Sequence, residues 1–199
     1  MNKNYHQAKF FQSASGINSL PPELGFEVAF AGRSNSGKSS SLNKVCQQRS
    51  LARTSKTPGR TQLINFFSLP EGRYLVDLPG YGYAKVPEKV KHKWQRFIES
   101  YLDTRWTLQG VILVMDIRHP MKDYDRMMLR WAADRQLSVH VLLNKSDKLK
   151  RGMTSRALLA VKKELKQYSM PVSVQTFSAL KGEGLQELWR VLDNWLYAE

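Results

Sequence analysis

Short apolar runs alternate with amphipathic stretches along most of the chain. Six runs rich in leucine, β-branched and aromatic residues predict β-strands. They cover residues 27–31, 63–68, 74–77, 110–116, 139–144 and 173–177. Between them, apolar residues recur at the spacing of one helical face, which predicts helices with one buried side. These stripes cover residues 90–102, 127–131, 158–168 and 185–196.

The alternation of strands and helices predicts a three-layer α/β fold, with a six-stranded, mostly parallel sheet and helices on both of its faces. Ligands of such folds bind beyond the carboxyl ends of the strands. Residues 1–25 are polar and end in Leu20-Pro21-Pro22. We therefore separate an N-terminal arm, residues 1–25, from one domain, residues 26–199, a length that suits a single domain.

The chain is strongly basic. Its 31 Lys and Arg residues against 17 Asp and Glu give a formal net charge of +14, which favours nucleic acid or an anionic membrane surface as partner. No apolar run is long enough for a signal peptide or a membrane span, so we expect a cytoplasmic protein without membrane insertion. The single cysteine, Cys46, excludes an intramolecular disulfide and is expected to be a small buried residue.

A glycine-rich segment follows the first predicted strand and precedes a predicted helix. It matches the phosphate-loop pattern G-x-x-x-x-G-K-S and consists of Gly32, Arg33, Ser34, Asn35, Ser36, Gly37, Lys38 and Ser39. Its glycines let backbone N–H groups turn towards phosphate oxygens, and the dipole of the next helix favours the same anion. Lys38 should reach the β and γ phosphates, and the Ser39 hydroxyl should ligate Mg²⁺.

The end of the fifth predicted strand carries the pattern N-K-x-D, formed by Asn144, Lys145, Ser146 and Asp147. Asp147 can accept two hydrogen bonds from guanine, whereas adenine would leave its buried carboxylate unpaired, so the motif favours GTP over ATP. The Lys145 stem can cover the base plane, and Asn144 can tie this loop to the phosphate loop. After the last strand, a backbone N–H can reach the guanine carbonyl from the triplet Ser178-Ala179-Leu180.

A D-x-x-G pattern after the third predicted strand supplies candidates for sensing the γ-phosphate. It consists of Asp77, Leu78, Pro79 and Gly80. Asp77 can hold Mg²⁺ through water, and the Gly80 N–H can bond the γ-phosphate. A threonine hydroxyl between the phosphate loop and Asp77 should complete the Mg²⁺ shell; Thr61 is favoured and Thr57 is the alternative.

Taken in order, these motifs resemble those of translation-factor-class GTPases, and their flanks narrow the resemblance. Residues 29–35 (A-F-A-G-R-S-N), 53–62 (R-T-S-K-T-P-G-R-T-Q), 76–84 (V-D-L-P-G-Y-G-Y-A) and 115–120 (M-D-I-R-H-P) look like the EngB (YihA/YsxC) family, among the TrmE-Era-EngA-EngB-like GTPases. The resemblance covers nearly the whole chain and implies a Ras-like P-loop GTPase fold. It also implies a bacterial enzyme that hydrolyses GTP, assists maturation of the large ribosomal subunit and is needed for normal cell division and septation.

The resemblance places the Mg²⁺ ligands at Ser39 and Thr61, and we expect Lys38, Thr61, Gly80 and Asn35 to promote catalysis. Beyond the phosphate loop and the D-x-x-G segment, the expected nucleotide contacts are Gly59, Arg60, Thr61, Gln62, Leu63, Asn144, Lys145, Ser146, Asp147, Phe177, Ser178 and Ala179.

Intrinsic hydrolysis is expected to be slow. Many GTPases place a glutamine directly after D-x-x-G to orient the attacking water, and here that position is Tyr81. His119 and His140 are expected to be structural rather than general bases. Asn35 either recruits K⁺ beside the phosphates, as in similar GTPases, or merely shapes the loop, and the sequence favours neither interpretation.

The basic residues cluster near the segments that should respond to the γ-phosphate. The first cluster lies between residues 28 and 70, where no Asp or Glu occurs, and contains Arg33, Lys38, Lys44, Arg49, Arg53, Lys56 and Arg60. The second contains Lys85, Lys89, Lys91, Lys93 and Arg96. We expect both to bind ribosomal RNA, with nucleotide-gated affinity, although the second could be only a solvated helix face. Tyr81 and Tyr83 either stack on unpaired bases or pack within their loop.

Two other classes of function remain open. The protein could be a GTP-binding RNA-interaction module without useful hydrolysis, which the missing glutamine favours. It could also be an ATP-dependent kinase with the same phosphate loop, which Asp147 disfavours. Nothing in the sequence requires a dimer, so a monomer is expected.

Overall fold

The computed structural model describes residues 3–52, 63–81 and 88–198, except for the side chains of residues 88–91, 93 and 94. The strands are β1 (Lys9–Ala14), β2 (Phe26–Gly32), β3 (Ile64–Leu69), β4 (Arg73–Asp77), β5 (Leu108–Asp116), β6 (Ser138–Asn144) and β7 (Val172–Thr176). The helices are α1 (Lys3–His6), α2 (Lys38–Val45), α3 (Glu88–Thr104), α4 (Asp123–Asp134), α5 (Arg151–Leu165) and α6 (Leu185–Leu196).

The strands form one seven-stranded sheet in the order β1-β3-β4-β2-β5-β6-β7. Strand β3 is antiparallel to both of its neighbours, and the other pairs are parallel. All six predicted strands are present, but the predicted count of six was wrong by one. The additional strand, β1, lies within the segment that the sequence analysis assigned to an arm, and it pairs with β3 from Lys9 opposite Ser68 to Ala14 opposite Ile64.

The sheet is covered on both faces, as the alternating pattern predicted. One core contains buried residues of α3, α4 and α5, and the other contains buried residues of α1, α2 and α6. Central strand β5 supplies both cores, because Leu113 faces the first while Ile112 and Val114 face the second. Burial on both faces explains why this strand is an unbroken apolar run rather than an alternating one.

A buried ion pair fastens the amino-terminal end of the sheet. The Arg105 guanidinium contacts the Glu27 carboxylate, with its Nε 3.0 Å from either oxygen, and it donates to the Pro21 carbonyl at 2.8 Å. The Tyr101 hydroxyl donates to the same carboxylate at 3.0 Å. Because a buried charge is costly without its partner, this cluster holds the segment before β2 firmly against the domain, at the end of the sheet opposite the motifs.

Two further sequence expectations concern the core and membranes. Cys46 is fully buried, and burial raises the pKa of its thiol to about 12. The thiol is therefore a packed, protonated side chain, as predicted. Across the ranges that the structure describes, no helix combines the length and hydrophobicity needed to cross a bilayer.

Candidate nucleotide-binding site

The phosphate loop connects β2 to α2 through two residues in the left-handed region. Asn35 has φ 63° and Gly37 has φ 91°. Gly37 is the N-cap of α2 and supplies no side-chain oxygen, and the first turn of the helix contains no acidic residue. The positive end of the helix dipole is thus open to an anionic ligand, which is the arrangement that phosphate binding requires.

Asn144 joins the phosphate loop to the loops that follow β6 and β7. Its Nδ2 donates to the Ser36 carbonyl at 2.9 Å, and its Oδ1 accepts from the Ala179 N–H at 3.1 Å. The side chain is buried, so it acts as a rigid link between three loops. The tie between Asn144 and the phosphate loop, which the sequence suggested, is therefore present.

Substituting Gly37 with alanine should disrupt this link. A Cβ at Gly37 would lie 2.2 Å from Asn144 Nδ2, in a backbone conformation that disfavours any side chain. We expect a loss of about 1–3 kcal/mol in stability and at least a tenfold loss in GDP affinity, measured by thermal unfolding and by titration with labelled GDP.

The matched control is Gly152→Ala, on exposed α5, where an added Cβ meets nothing within 4 Å. This substitution should leave GDP affinity unchanged and should stabilise the helix by up to about 1 kcal/mol. Equal GDP affinity in the two variants would contradict the role given to Gly37.

Lys38 and Asp77 meet beneath the phosphate loop. Lys38 is the first residue of α2 and Asp77 is the last residue of β4, and their side chains form an ion pair that is almost completely buried. The Leu78 N–H donates to the Phe30 carbonyl at 3.0 Å, which holds the D-x-x-G segment beside β2. Lys38, which is predicted to bind phosphate, and Asp77, which is predicted to hold Mg²⁺ through water, therefore lie in direct contact.

The side chains at this place suit a magnesium ion bound together with phosphate. Asp77 and Ser39 supply the hard oxygen atoms that Mg²⁺ prefers. The hydroxyl of Ser36 is buried and has no hydrogen-bond partner among the described residues, which is typical of a group whose partner is a ligand. Predicted residues Thr57, Gly59, Arg60, Thr61 and Gln62 lie outside the described residues; Leu63 directly precedes β3.

On the base side, Lys145 is fixed by two contacts. Its Nζ donates to the Asn35 carbonyl at 2.6 Å and to the Asp116 carboxylate at 2.9 Å. Burial alone would raise the pKa of Asp116, but hydrogen bonds from Arg118 and Lys145 hold it well below its usual range. No role for Asp116 was predicted from the sequence, although a carboxylate at the end of an apolar strand was the available signal.

Asp147 is held by the loop that follows β7. The buried Ser178 hydroxyl donates to Asp147 Oδ1 at 2.7 Å. This hydrogen bond is the main reason that the pKa of Asp147 lies below its usual value. The carboxylate is therefore ionised at neutral pH and can accept hydrogen bonds from the N–H groups of a guanine base.

Comparison with known proteins agrees with this site. Residues 27–145 match a family described as 50S ribosome-binding GTPase, and residues 95–198 match the elongation factor Tu GTP binding domain. The "Probable GTP-binding protein EngB" of Escherichia coli (strain K12) is 54% identical over 194 residues, which are 98% of this chain and 92% of that protein. The chain belongs to the EngB family of GTP-binding proteins.

Solved structures confirm the P-loop GTPase fold of this EngB-family chain. A crystal structure of a probable GTP-binding protein engB has a TM-score of 0.70 at 20% identity and covers 85% of this chain and 98% of that one. Era in complex with MgGDPNP and nucleotides 1506–1542 of 16S ribosomal RNA has a TM-score of 0.65 at 21% identity, covering 89% and 59%. Family membership makes guanine nucleotide the ligand class and GTP hydrolysis the general activity.

In this EngB-family chain, Tyr81 is packed inside the fold, and base stacking was the other role considered for it. It is 2% exposed, its ring lies 5.6 Å from that of Tyr124, and its hydroxyl donates to Asp125 at 3.3 Å. Its carbonyl also accepts from the Ser34 N–H at 2.7 Å. Tyr81 is thus unable to stack on RNA in this structure, and packing is the correct alternative; Tyr83 lies outside the described residues.

Several of the residues predicted to contact the nucleotide also position the loops of the site. The Ser36 N–H donates to the Arg33 carbonyl at 3.0 Å, within the turn itself. Phe177 has a fully buried side chain, and its N–H and carbonyl bond to Leu143 and Ser146 at 2.9 and 3.1 Å. These residues fix the shape of the site.

His140 is structural, as predicted. Its ring nitrogens lie 2.7 Å from the Ser173 hydroxyl and 2.9 Å from the Gln175 side-chain oxygen. Burial lowers the pKa of the imidazole, so it is neutral at physiological pH. His140 lies on β6, and its hydrogen bonds satisfy the polar side chains of Ser173 and Gln175 on the neighbouring strand β7.

Proposed function

We propose that this EngB-family protein binds Mg²⁺ and GTP, hydrolyses the GTP to GDP, and acts as a switch in assembly of the large ribosomal subunit. The observation that carries the proposal is the meeting of Lys38 and Asp77 under the same loop that Asn144 ties to the base motif. A phosphate group and a guanine base of one nucleotide can therefore be held simultaneously. Normal cell division and septation would depend on this assembly step.

Each chemical role in this proposal falls to a specific group. Lys38 and the first N–H groups of α2 bind the β and γ phosphates, and the Gly80 N–H senses the γ-phosphate. Ser39 and Thr61 are the proposed Mg²⁺ ligands, with Asp77 acting through water. Bound Mg²⁺ supplies positive charge against the phosphate oxygens. Asp147 selects guanine, and the Lys145 stem covers its plane.

We expect intrinsic hydrolysis to be slow, because Tyr81 occupies the position of the water-orienting glutamine and its hydroxyl is engaged by Asp125. The left-handed backbone of Asn35 supports a loop-shaping role, since asparagine tolerates that conformation. Its exposed side chain also leaves room for a K⁺ ion beside the phosphates.

Replacing potassium with sodium should lower GTP turnover at least tenfold if Asn35 helps to hold K⁺, because a cation there stabilises the charge that develops in the transition state. Turnover of wild type and Asn35→Asp would be measured in matched potassium and sodium buffers. Equal rates for wild type in the two salts would end the potassium proposal. Failure of purified large subunits to raise turnover in either salt would favour the non-hydrolysing alternative.

Ribosomal RNA is the proposed partner because the charge of the chain is +14 and the matched family is described as ribosome-binding. Of the two predicted basic clusters, five residues have described side chains: Arg33, Lys38, Lys44, Arg49 and Arg96. Arg49 and Arg96 are exposed, and Lys38 is buried in its ion pair with Asp77. The remaining charges of the second cluster lie outside the described side chains. The protein would act as a cytoplasmic monomer.

Binding to ribosomal RNA should depend steeply on salt and on the nucleotide. Each phosphate contact contributes about 0.7–0.9 to the slope of log affinity against log salt. Filter binding across a salt series, with GDP and with a non-hydrolysable GTP analogue, would measure both effects. A slope near zero would reject RNA as partner, and equal affinity in the two states would reject gating.

A further inference from the structure

Helix α5 carries a dense positive charge that nucleotide binding does not explain. From residue 148 to residue 182 the chain contains eight basic residues and one acidic residue. That acidic residue, Glu164, accepts a hydrogen bond from Arg126 of α4 at 2.7 Å and is already paired. The charge of the helix is therefore not neutralised from within it.

All eight of these basic residues are exposed, but Lys148 and Lys181 pair with Asp147 and Glu183. The other six form what we term the α5 basic face: Lys150, Arg151, Arg156, Lys162, Lys163 and Lys166. Successive residues of a helix are about 100° apart around its axis, so five of the six side chains fall within one arc of about 140°. These five, Arg151, Arg156, Lys162, Lys163 and Lys166, span about 22 Å along the helix. The opposite side packs in the core through Val161 and Leu165. None of the six forms a salt bridge within the part of the chain that the structure describes.

Part of this arrangement opposes the stability of the helix. Arg151 is the first residue of α5, where the helix dipole disfavours a cation, whereas Lys162 and Lys163 lie in the last turn, where the dipole favours one. Lys162 and Lys166 are four residues apart, and such like-charge pairs destabilise a helix by about 0.2–0.5 kcal/mol. A charge pattern that costs stability in the free protein is typical of a surface that binds a polyanion.

We propose that the α5 basic face is a second RNA-binding surface, which holds phosphate groups of structured ribosomal RNA whichever guanine nucleotide is bound. The inference rests on the proposed ribosomal partner and adds the place of contact. Helix α5 packs mainly on β7 at the sheet edge, and β2, β5 and β6 separate that edge from β4, which leads to the γ-phosphate sensor. The surface therefore anchors the protein, while the segments near the nucleotide would provide gating.

The surroundings of the face favour RNA over a membrane. The exposed large apolar side chains of α5 are Met153 and Leu159, and Met153 lies outside the arc. Leu159 alone offers too little apolar surface for insertion between lipids. A cavity of about 400 Å³ lies at the amino-terminal end of the helix, with Asp147, Arg151, Lys181 and Glu183 in its wall. Because Asp147 belongs to the base motif, this cavity adjoins the nucleotide site and is not part of the α5 basic face.

The test is a triple variant, Lys162→Gln, Lys163→Gln and Lys166→Gln, compared with a matched triple variant, Lys3→Gln, Lys9→Gln and Arg190→Gln. All six residues are exposed, and both variants lose three positive charges. The control residues lie on α1, β1 and α6, on other parts of the surface. Binding to large-subunit ribosomal RNA would be measured across a salt series, with GDP and with a GTP analogue, alongside GDP affinity and circular dichroism.

We expect the α5 variant to bind RNA about ten- to a hundredfold more weakly at 0.1 M salt in both nucleotide states, with a salt slope reduced by about two. GDP affinity and helix content should match wild type, and the control variant should lose no more than about twofold. Loss of RNA binding in one nucleotide state alone, or equal losses in the two variants, would overturn the proposal.

Two further outcomes separate this inference from the function on which it rests. If wild type itself bound no RNA at low salt, the proposed function would fail and the α5 face with it. If wild type bound RNA and the α5 variant bound it equally well, only the present proposal would fail. A third outcome would assign the face to a membrane instead. In that case wild type, but not the α5 variant, would bind phosphatidylglycerol vesicles, while the two proteins would bind RNA with equal affinity.

Discussion

The Lys38→Ala variant is expected to lose GTP and GDP binding at micromolar concentrations, a fall of at least about a hundredfold in affinity. Lys38 is buried at the start of α2, so in the proposed complex its ammonium group would meet phosphate oxygens largely shielded from water. Truncating one partner of a buried charged hydrogen bond costs about 2–5 kcal/mol. Equilibrium titration with labelled GDP and with a labelled GTP analogue would measure the loss, and wild-type affinity in the variant would contradict it.

The same variant should also be less stable without nucleotide, which requires a control. Removing Lys38 leaves the Asp77 carboxylate buried without its ion-pair partner, at a cost of about 3–5 kcal/mol. In the double variant Lys38→Met, Asp77→Asn both charges are gone, so stability should return to within about 1–2 kcal/mol of wild type. Nucleotide binding should remain lost, which separates the phosphate contact from folding. Recovery of GDP binding in the double variant would show that the single variant failed by unfolding alone.

The Asp147→Asn variant should change its preference from guanine to xanthine nucleotides. The carboxylate is ionised and accepts from Ser178, so it can accept two more hydrogen bonds from guanine. An amide donates at one of these positions, which matches the carbonyl oxygen that xanthine carries there. GDP affinity should fall on the order of a thousandfold, and XDP should compete better than GDP.

Ser178→Ala is the control for the base pocket. It removes the hydroxyl that positions Asp147 at 2.7 Å but keeps the carboxylate. GDP affinity should fall about tenfold with no gain for XDP, measured by competition against labelled GDP. Undiminished guanine affinity in Asp147→Asn, or a switch to XDP in Ser178→Ala, would overturn the assignment of the base pocket to Asp147.

The placement of the motifs could be predicted because parallel strands end at one edge. The phosphate loop follows β2, Asp77 ends β4 and Asn144 ends β6, and these strands belong to one sheet. Their apolar runs were long enough to identify from the sequence, so the loops that follow them had to converge. The link from Asn144 to Ser36 is a direct result of that convergence.

Strand β1 could not be predicted in the same way. It lies at the edge of the sheet, and only one of its six side chains is buried, so they form no continuous apolar run. Its extended form depends on hydrogen bonds to β3, a segment about fifty to sixty residues away in the chain. Pairing of this kind is a tertiary interaction, and local composition carries little information about it.

The sequence by itself determined the layered fold, the phosphate loop and the base motif, because periodicity and residue spacing are local properties that survive without knowledge of distant contacts. Only the tertiary structure decided that Tyr81 is buried on Asp125 and that Lys145 bonds to Asp116. It alone showed that the cations of α5 share one exposed face. These features depend on which distant side chains meet after the helices pack on the sheet, and burial, not residue type, then fixes what each polar group can bind.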